Sequence, residues 1–159
     1  MSAYATKKVL AASGYVSEMA NTLNSVPVEY LFTVHATVGA PVVIPNGPTG
    51  TRLVIEVTGG TVSGPQVNGV VNMGGDWATL RANGTAGLDV RLLLTTSDGE
   101  AIHMTYEGVL SPTDGGMRII TAPRFQTGSE KLGWLNDVQA IAFGAPGENC
   151  VDYDVYRVL

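Results

Sequence analysis

Gly74–Gly108 reads GGDWATLRANGTAGLDVRLLLTTSDGEAIHMTYEG, three apolar-rich runs separated by Asn83-Gly84 and Asp98-Gly99. Asn-Gly and Asp-Gly supply the positive φ that tight hairpin turns require, so the runs read as three consecutive antiparallel strands. Asp76, Asp89, Arg91 and Tyr106 are embedded among their apolar residues. A surface sheet would scatter such groups, whereas a ligand cavity would gather them, and register decides between the two.

With Asn83-Gly84 as a two-residue turn, Ala82 opposes Thr85 and Asp76 opposes Arg91. With Asp98-Gly99 as the next tip, Ser97 opposes Glu100 and Arg91 opposes Tyr106. The expectation is a row of Asp76, Arg91 and Tyr106 across three strands, directly opposed Cβ atoms lying about 5 Å apart. Asp89, two residues before Arg91, shares that face. Ala78, Leu80, Leu93, Ile102 and Met104 complete it, giving an apolar wall with one polar cluster, as ligand cavities have. The opposite face carries Trp77, Val90, Leu92 and Leu94 and is expected to need cover from a neighbouring subunit or an N-terminal arm. An odd-numbered loop or a bulge would turn one strand over relative to the next.

Outward from this segment, Gly59-Gly60 and "GAPGEN" punctuate further alternating runs up to "CVDYDVYRVL". A chain of 159 residues with 45% hydrophobic and 14% charged residues and 20 glycines suits one domain of short strands and tight turns. So many successive hairpins hide their edges best by closing, which predicts an all-β, antiparallel up-and-down barrel over residues 27–159. Residues 1–26 lack sustained periodicity and read as a short N-terminal arm or helix, and "GSEKLGWLND" is the one late helical turn.

The net charge of -5, with no Lys/Arg cluster, argues against nucleic acid, whose affinity rests on clustered cations. No apolar run approaches the ~20 residues of a membrane helix. A single cysteine, Cys150, cannot form an internal disulfide and fits a reducing cytoplasm. Asn83-Gly84-Thr85 matches a glycosylation acceptor but is read as a turn. Neither His35 nor His103 has a second His or Cys at metal-ligand spacing, so no metal is expected. Phosphate-binding and nucleophile-elbow motifs are missing. Arg52 is expected to face inward, Tyr30 to reach the cavity or cover a core edge, and Trp77 and Trp134 to pack.

The ordered set "PTGTRLVIEVTGGTVSGPQVNGVV", "GGDW", "LDVRLLLTTSDGEAIHMTYEG", "PRFQTGSEKLGWLN" and "VDYDVYRV" resembles the family catalogued as domain of unknown function 3237, or UPF0311, over about Val28 to Val158. The resemblance implies a lipocalin-like barrel, usually oligomeric, with a cavity and no obligatory cofactor. It further implies non-redox chemistry on phenolic or polyketide-like molecules, and motif positions Arg52, Asp76, Trp77, Asp89, Arg91, Tyr106, Trp134 and Asn136.

Together these readings give a cofactor-independent acid/base enzyme acting on a small phenolic molecule, a cyclase or isomerase, assembled as a homo-oligomer. Asp76, Asp89, Arg91 and Tyr106 would be catalytic, and Tyr30, Arg52, Trp77, Leu93, Met104, Trp134 and Asn136 would contact substrate. Two alternatives use the same barrel: a decarboxylase or lyase in which Arg91 and Arg52 clamp a carboxylate, and a non-catalytic carrier of small apolar molecules.

Overall fold

The computed structural model describes residues 25–159; apart from Ser25 and Val26, the segment expected to form an arm lies outside them. Ten strands follow one another: β1 (Val28–Val38), β2 (Val42–Gly47), β3 (Gly50–Ser63), β4 (Gly69–Leu80), β5 (Ala86–Thr96), β6 (Ala101–Thr113), β7 (Gly116–Thr121), β8 (Arg124–Gln126), β9 (Ala140–Pro146) and β10 (Cys150–Val158). All pairings are antiparallel. Eight strands run β1-β10-β9-β7-β6-β5-β4-β3, and pairing of β3 with β1 closes the ring. The expected barrel is therefore present. β2 pairs with the first part of β3, where β1 has not yet joined.

The run "MRIITAPRFQ" is broken into β7 and β8 at Ala122-Pro123, because proline has no N–H to give to a ladder. A 3-10 turn at Gly133–Asp137 falls inside the segment expected to be helical. No described helix is long and apolar enough to cross a membrane.

Both central hairpins close with three-residue loops, not two-residue turns. The Arg81 amide donates to Thr85 O at 2.8 Å and the Gly84 amide to Arg81 O at 3.0 Å; the Thr96 amide donates to Glu100 O and the Gly99 amide to Thr96 O, each at 2.9 Å. The last loop residue takes positive φ, 81° at Gly84 and 87° at Gly99, which glycine adopts without a Cβ penalty. Asp76 consequently opposes Val90, and Val90 opposes Tyr106. The expected row through Arg91 is overturned. Each loop shifts its pairing by one residue, which turns β5 over while the two shifts cancel between β4 and β6. Asp76 and Tyr106 stay on one face, and Arg91 moves to the other.

The turned-over β5 puts Leu88, Val90, Leu92 and Leu94 inside and leaves Leu93 on the outer surface, 39% exposed. With Val90, Leu92 and Leu94 inward, the reason given above for a subunit covering their face no longer holds. One end of the barrel is filled by Phe32, Leu92, Leu94, Ile102, Met104 and Leu135, all essentially inaccessible. Each large apolar side chain so buried contributes roughly 1.5–3 kcal/mol. The described residues leave the other end unfilled.

Candidate functional site

The unfilled end is a cavity of about 190 Å³ lined by apolar residues of seven strands, among them Ala36 (β1), Val57 (β3), Leu88 (β5), Leu110 (β6), Ile119 (β7) and Val151 (β10). An apolar cavity of about 150 Å³ holds benzene, so this one has room for a single substituted ring. Into it face Asp76 from β4, Tyr106 from β6 and Tyr153 from β10. Among the described residues, Asp76 is the one charged side chain in its lining.

Asp76 occupies a fault in the sheet. The β4–β5 register is interrupted between Asp76↔Val90 and Thr79↔Gly87. A regular ladder would send the Asp89 amide to Trp77 O; instead that amide donates to Asp76 Oδ1 at 3.1 Å. Trp77 O accepts from Arg52 Nη1 at 2.8 Å. Two side chains thus replace one backbone bond, Asp76 from inside and Arg52 from outside. Burial pushes the Asp76 carboxyl up to about 6; the Asp89 amide pulls it down, and the Asp89 charge adds to the rise.

Tyr106 and Tyr153 meet edge to face with ring centroids 5.6 Å apart, and their hydroxyls interact. Burial is the main reason both phenols are pushed far above their usual range, and the nearby Asp76 charge adds to it. They remain neutral donors. Gly144 makes room for this pair: a Cβ there would lie 2.6 Å from Tyr153 Cδ1.

The other expected site residues lie elsewhere. Arg91 and Asp89 are on the outer face, where Arg91 Nη1 donates to Asp89 Oδ1 at 3.0 Å and its guanidinium stacks 5.5 Å from the Trp77 ring. Their displacement follows from the one-residue shift of β5. Arg52 is also outside, since its neighbours Leu53 and Ile55 oppose the inward Ala78 and Asp76; the inward expectation had the strand's parity reversed. Tyr30 is an outer residue, its hydroxyl donating to Ser63 O at 3.2 Å and its ring meeting Tyr156 edge to face. Met104 is inward but belongs to the filled end. Asn136 binds Thr127 through both its amide and its carbonyl, Asn136 Oδ1 accepting at 2.8 Å and Nδ2 donating at 3.0 Å. Trp134 packs on the core beneath Arg157. Neither of these last two lines the cavity.

Tyr153 was missed. Its signal is present in "CVDYDVYRV", where Val151, Tyr153 and Val155 alternate with Asp152 and Asp154, a period-2 pattern that puts the tyrosine inward.

The family model described as Protein of unknown function (DUF3237) matches residues 26–158. A UPF0311 protein of Bradyrhizobium diazoefficiens is 29% identical over 145 residues, covering 82% of this chain and 95% of its own length. The hydroalkoxylation enzyme phnH of Penicillium herquei is 32% identical over 118 residues, covering 74% of this chain and 72% of that protein. Among solved structures, a conserved protein of unknown function from Rhodopseudomonas palustris superposes with a TM-score of 0.80 at 27% identity, over 86% of this chain and all of the other. A closed antiparallel barrel whose inward Asp76 and paired tyrosines come from motif segments spread along the match is thus accompanied by a family match over nearly the whole chain, and the chain belongs to the DUF3237 (UPF0311) family.

Proposed function

We propose that this protein is a cofactor-independent cyclase that adds a phenol oxygen across an alkene of the same small molecule. The supporting observation is a carboxyl that burial raises to about 6 in an apolar cavity of one-ring size, beside two neutral tyrosines. The relative that carries out hydroalkoxylation gives the reaction class.

In the protonated form, Asp76 delivers its proton to one alkene carbon. The phenol oxygen bonds to the other carbon and its proton returns to the Asp76 carboxylate, so the carboxyl is regenerated and no electrons are exchanged. Tyr106 and Tyr153 donate hydrogen bonds to substrate oxygens, which orients the ring and favours one face of attack. The apolar wall excludes water that would intercept the cation. Positioned proton transfer contributes typically 10²- to 10⁴-fold, enough for an activated substrate.

With Arg52 and Arg91 outside, the cavity holds no cation among the described residues to clamp a carboxylate, which weighs against the lyase alternative. The homo-oligomer belongs to the same proposal on new grounds: β2 leaves Val42, Val43 and Ile44 more than half exposed on a strand whose one described partner is β3. A monodisperse monomer in sedimentation removes that part.

The test is incubation with alkenyl phenols in deuterated water. Cyclic ether carrying one carbon-bound deuterium, formed in enantiomeric excess by the wild type and lost in Asp76→Asn, supports the reading. Tight binding without turnover would make the barrel a carrier.

A further inference from the structure

At the rim of the cavity, the barrel wall brings His35 of β1 beside Cys150 and Asp152 of β10. His35 on β1 opposes Asp152 on β10, and His35 Nδ1 lies 2.6 Å from Asp152 Oδ1. Cys150, two residues before Asp152, is presented on the same strand face. One ligating atom from each of His35, Cys150 and Asp152 lies within 4.8 Å of the others. Spacing along the chain does not reveal this set, which arises only when β1 and β10 pair.

We infer that His35, Cys150 and Asp152 form a binding site for a zinc-class divalent cation. An exposed His–Asp pair has little to gain from its ion pairing alone, and it has no need of a thiol converging on the same point. Nitrogen, sulfur and oxygen donors together suit a borderline-soft ion, whereas calcium and magnesium prefer oxygen alone. Bonds of about 2.0–2.3 Å around a tetrahedral ion set ligand atoms roughly 3.5 Å apart. Small side-chain rotations on two paired strands would part the 2.6 Å imidazole–carboxylate contact and draw the thiol in to that value. Asp154, next on the same face and bound by the Thr33 hydroxyl at 2.6 Å, adds negative charge beside the site. On binding, the thiol loses its proton to solvent and the imidazole offers its lone pair.

Three protein ligands leave the fourth position open. Cys150 also lines the cavity, so the ion would sit at the rim, separate from Asp76.

The experiment is titration of the reduced protein with cobalt(II) and with zinc(II). The expected result is one ion per chain at micromolar affinity or better, with a thiolate-to-cobalt charge-transfer band. Cys150→Ser should abolish the band, and His35→Ala and Asp152→Asn should each weaken binding at least tenfold. No uptake by the wild type, or unchanged affinity in Cys150→Ser, overturns the site. A second measurement needs no variant: Cys150 is the one cysteine of the chain, and zinc should slow its alkylation at least tenfold. Equal rates with and without zinc also overturn it.

Discussion

Asp76 is where chemistry and stability pull in opposite directions. Its carboxyl is raised from 3.8 to about 6, so the folded protein binds this proton more tightly than the unfolded chain. The resulting stabilisation is complete below about pH 3.8 and is lost as pH rises through about 6. Asp76→Asn keeps an acceptor for the Asp89 amide and removes the charge. It should therefore raise the melting temperature at pH 8, by on the order of 2 kcal/mol in stability, and leave it unchanged near pH 3. Turnover should move the other way. The acid form is the proton donor, so kcat should be level below about pH 6 and fall tenfold per unit above it. Asp76→Asn should cost at least about 10²-fold in kcat, and Tyr106→Phe should cost less because Tyr153 still donates. Arg91→Ala removes an exposed pair on the outer face and should change kcat by no more than a few-fold. A loss as deep as that of Asp76→Asn would mean that substrate meets the outer surface.

At the scale of the element, the two hairpin loops set every inward and outward assignment on β5. Gly84→Ala and Gly99→Ala, at φ of 81° and 87°, should each cost roughly 1 kcal/mol in a denaturant titration without changing m. Strand order and closure were legible from apolar runs and Gly-containing turns, whereas Asp76 and Tyr106 kept their common face only because the two loop shifts cancel. Loop length was not: Asn-Gly and Asp-Gly suit both the two-residue turn and the three-residue loop with a terminal positive-φ glycine. That single ambiguity sent Arg91, Asp89 and Leu93 outward and Leu92 inward. The fault between Trp77 and Asp89 was invisible for a different reason, since it depends on Arg52 reaching across strands to a backbone carbonyl. Arg52→Ala should leave that carbonyl unpaired and let the ladder close. With the Asp89 amide returned to the ladder, the Asp76 pKa should rise, followed by carboxyl NMR, and kcat should stay level to correspondingly higher pH.

The whole molecule is a barrel filled at one end and hollow at the other. The hollow sacrifices packing that a full core would have, so filling it should stabilise the fold at the expense of function. Ala36→Leu, on the cavity wall and 3% exposed, should hold or raise the melting temperature while abolishing ligand binding. In the wild type, a ligand that enters the cavity should raise the melting temperature with concentration, as binding to the native state alone requires. The barrel has two surfaces on which a phenol could settle: the interior with Asp76, Tyr106 and Tyr153, and the outer groove containing Asp89, Arg91 and Arg124. The most direct measurement is a crystal structure with an alkenyl phenol bound. The ring should lie inside the barrel, its oxygen within hydrogen-bonding distance of Asp76 or one of the two tyrosines. A ring seated outside against Arg91 and Trp77, with the interior left unfilled, would contradict it.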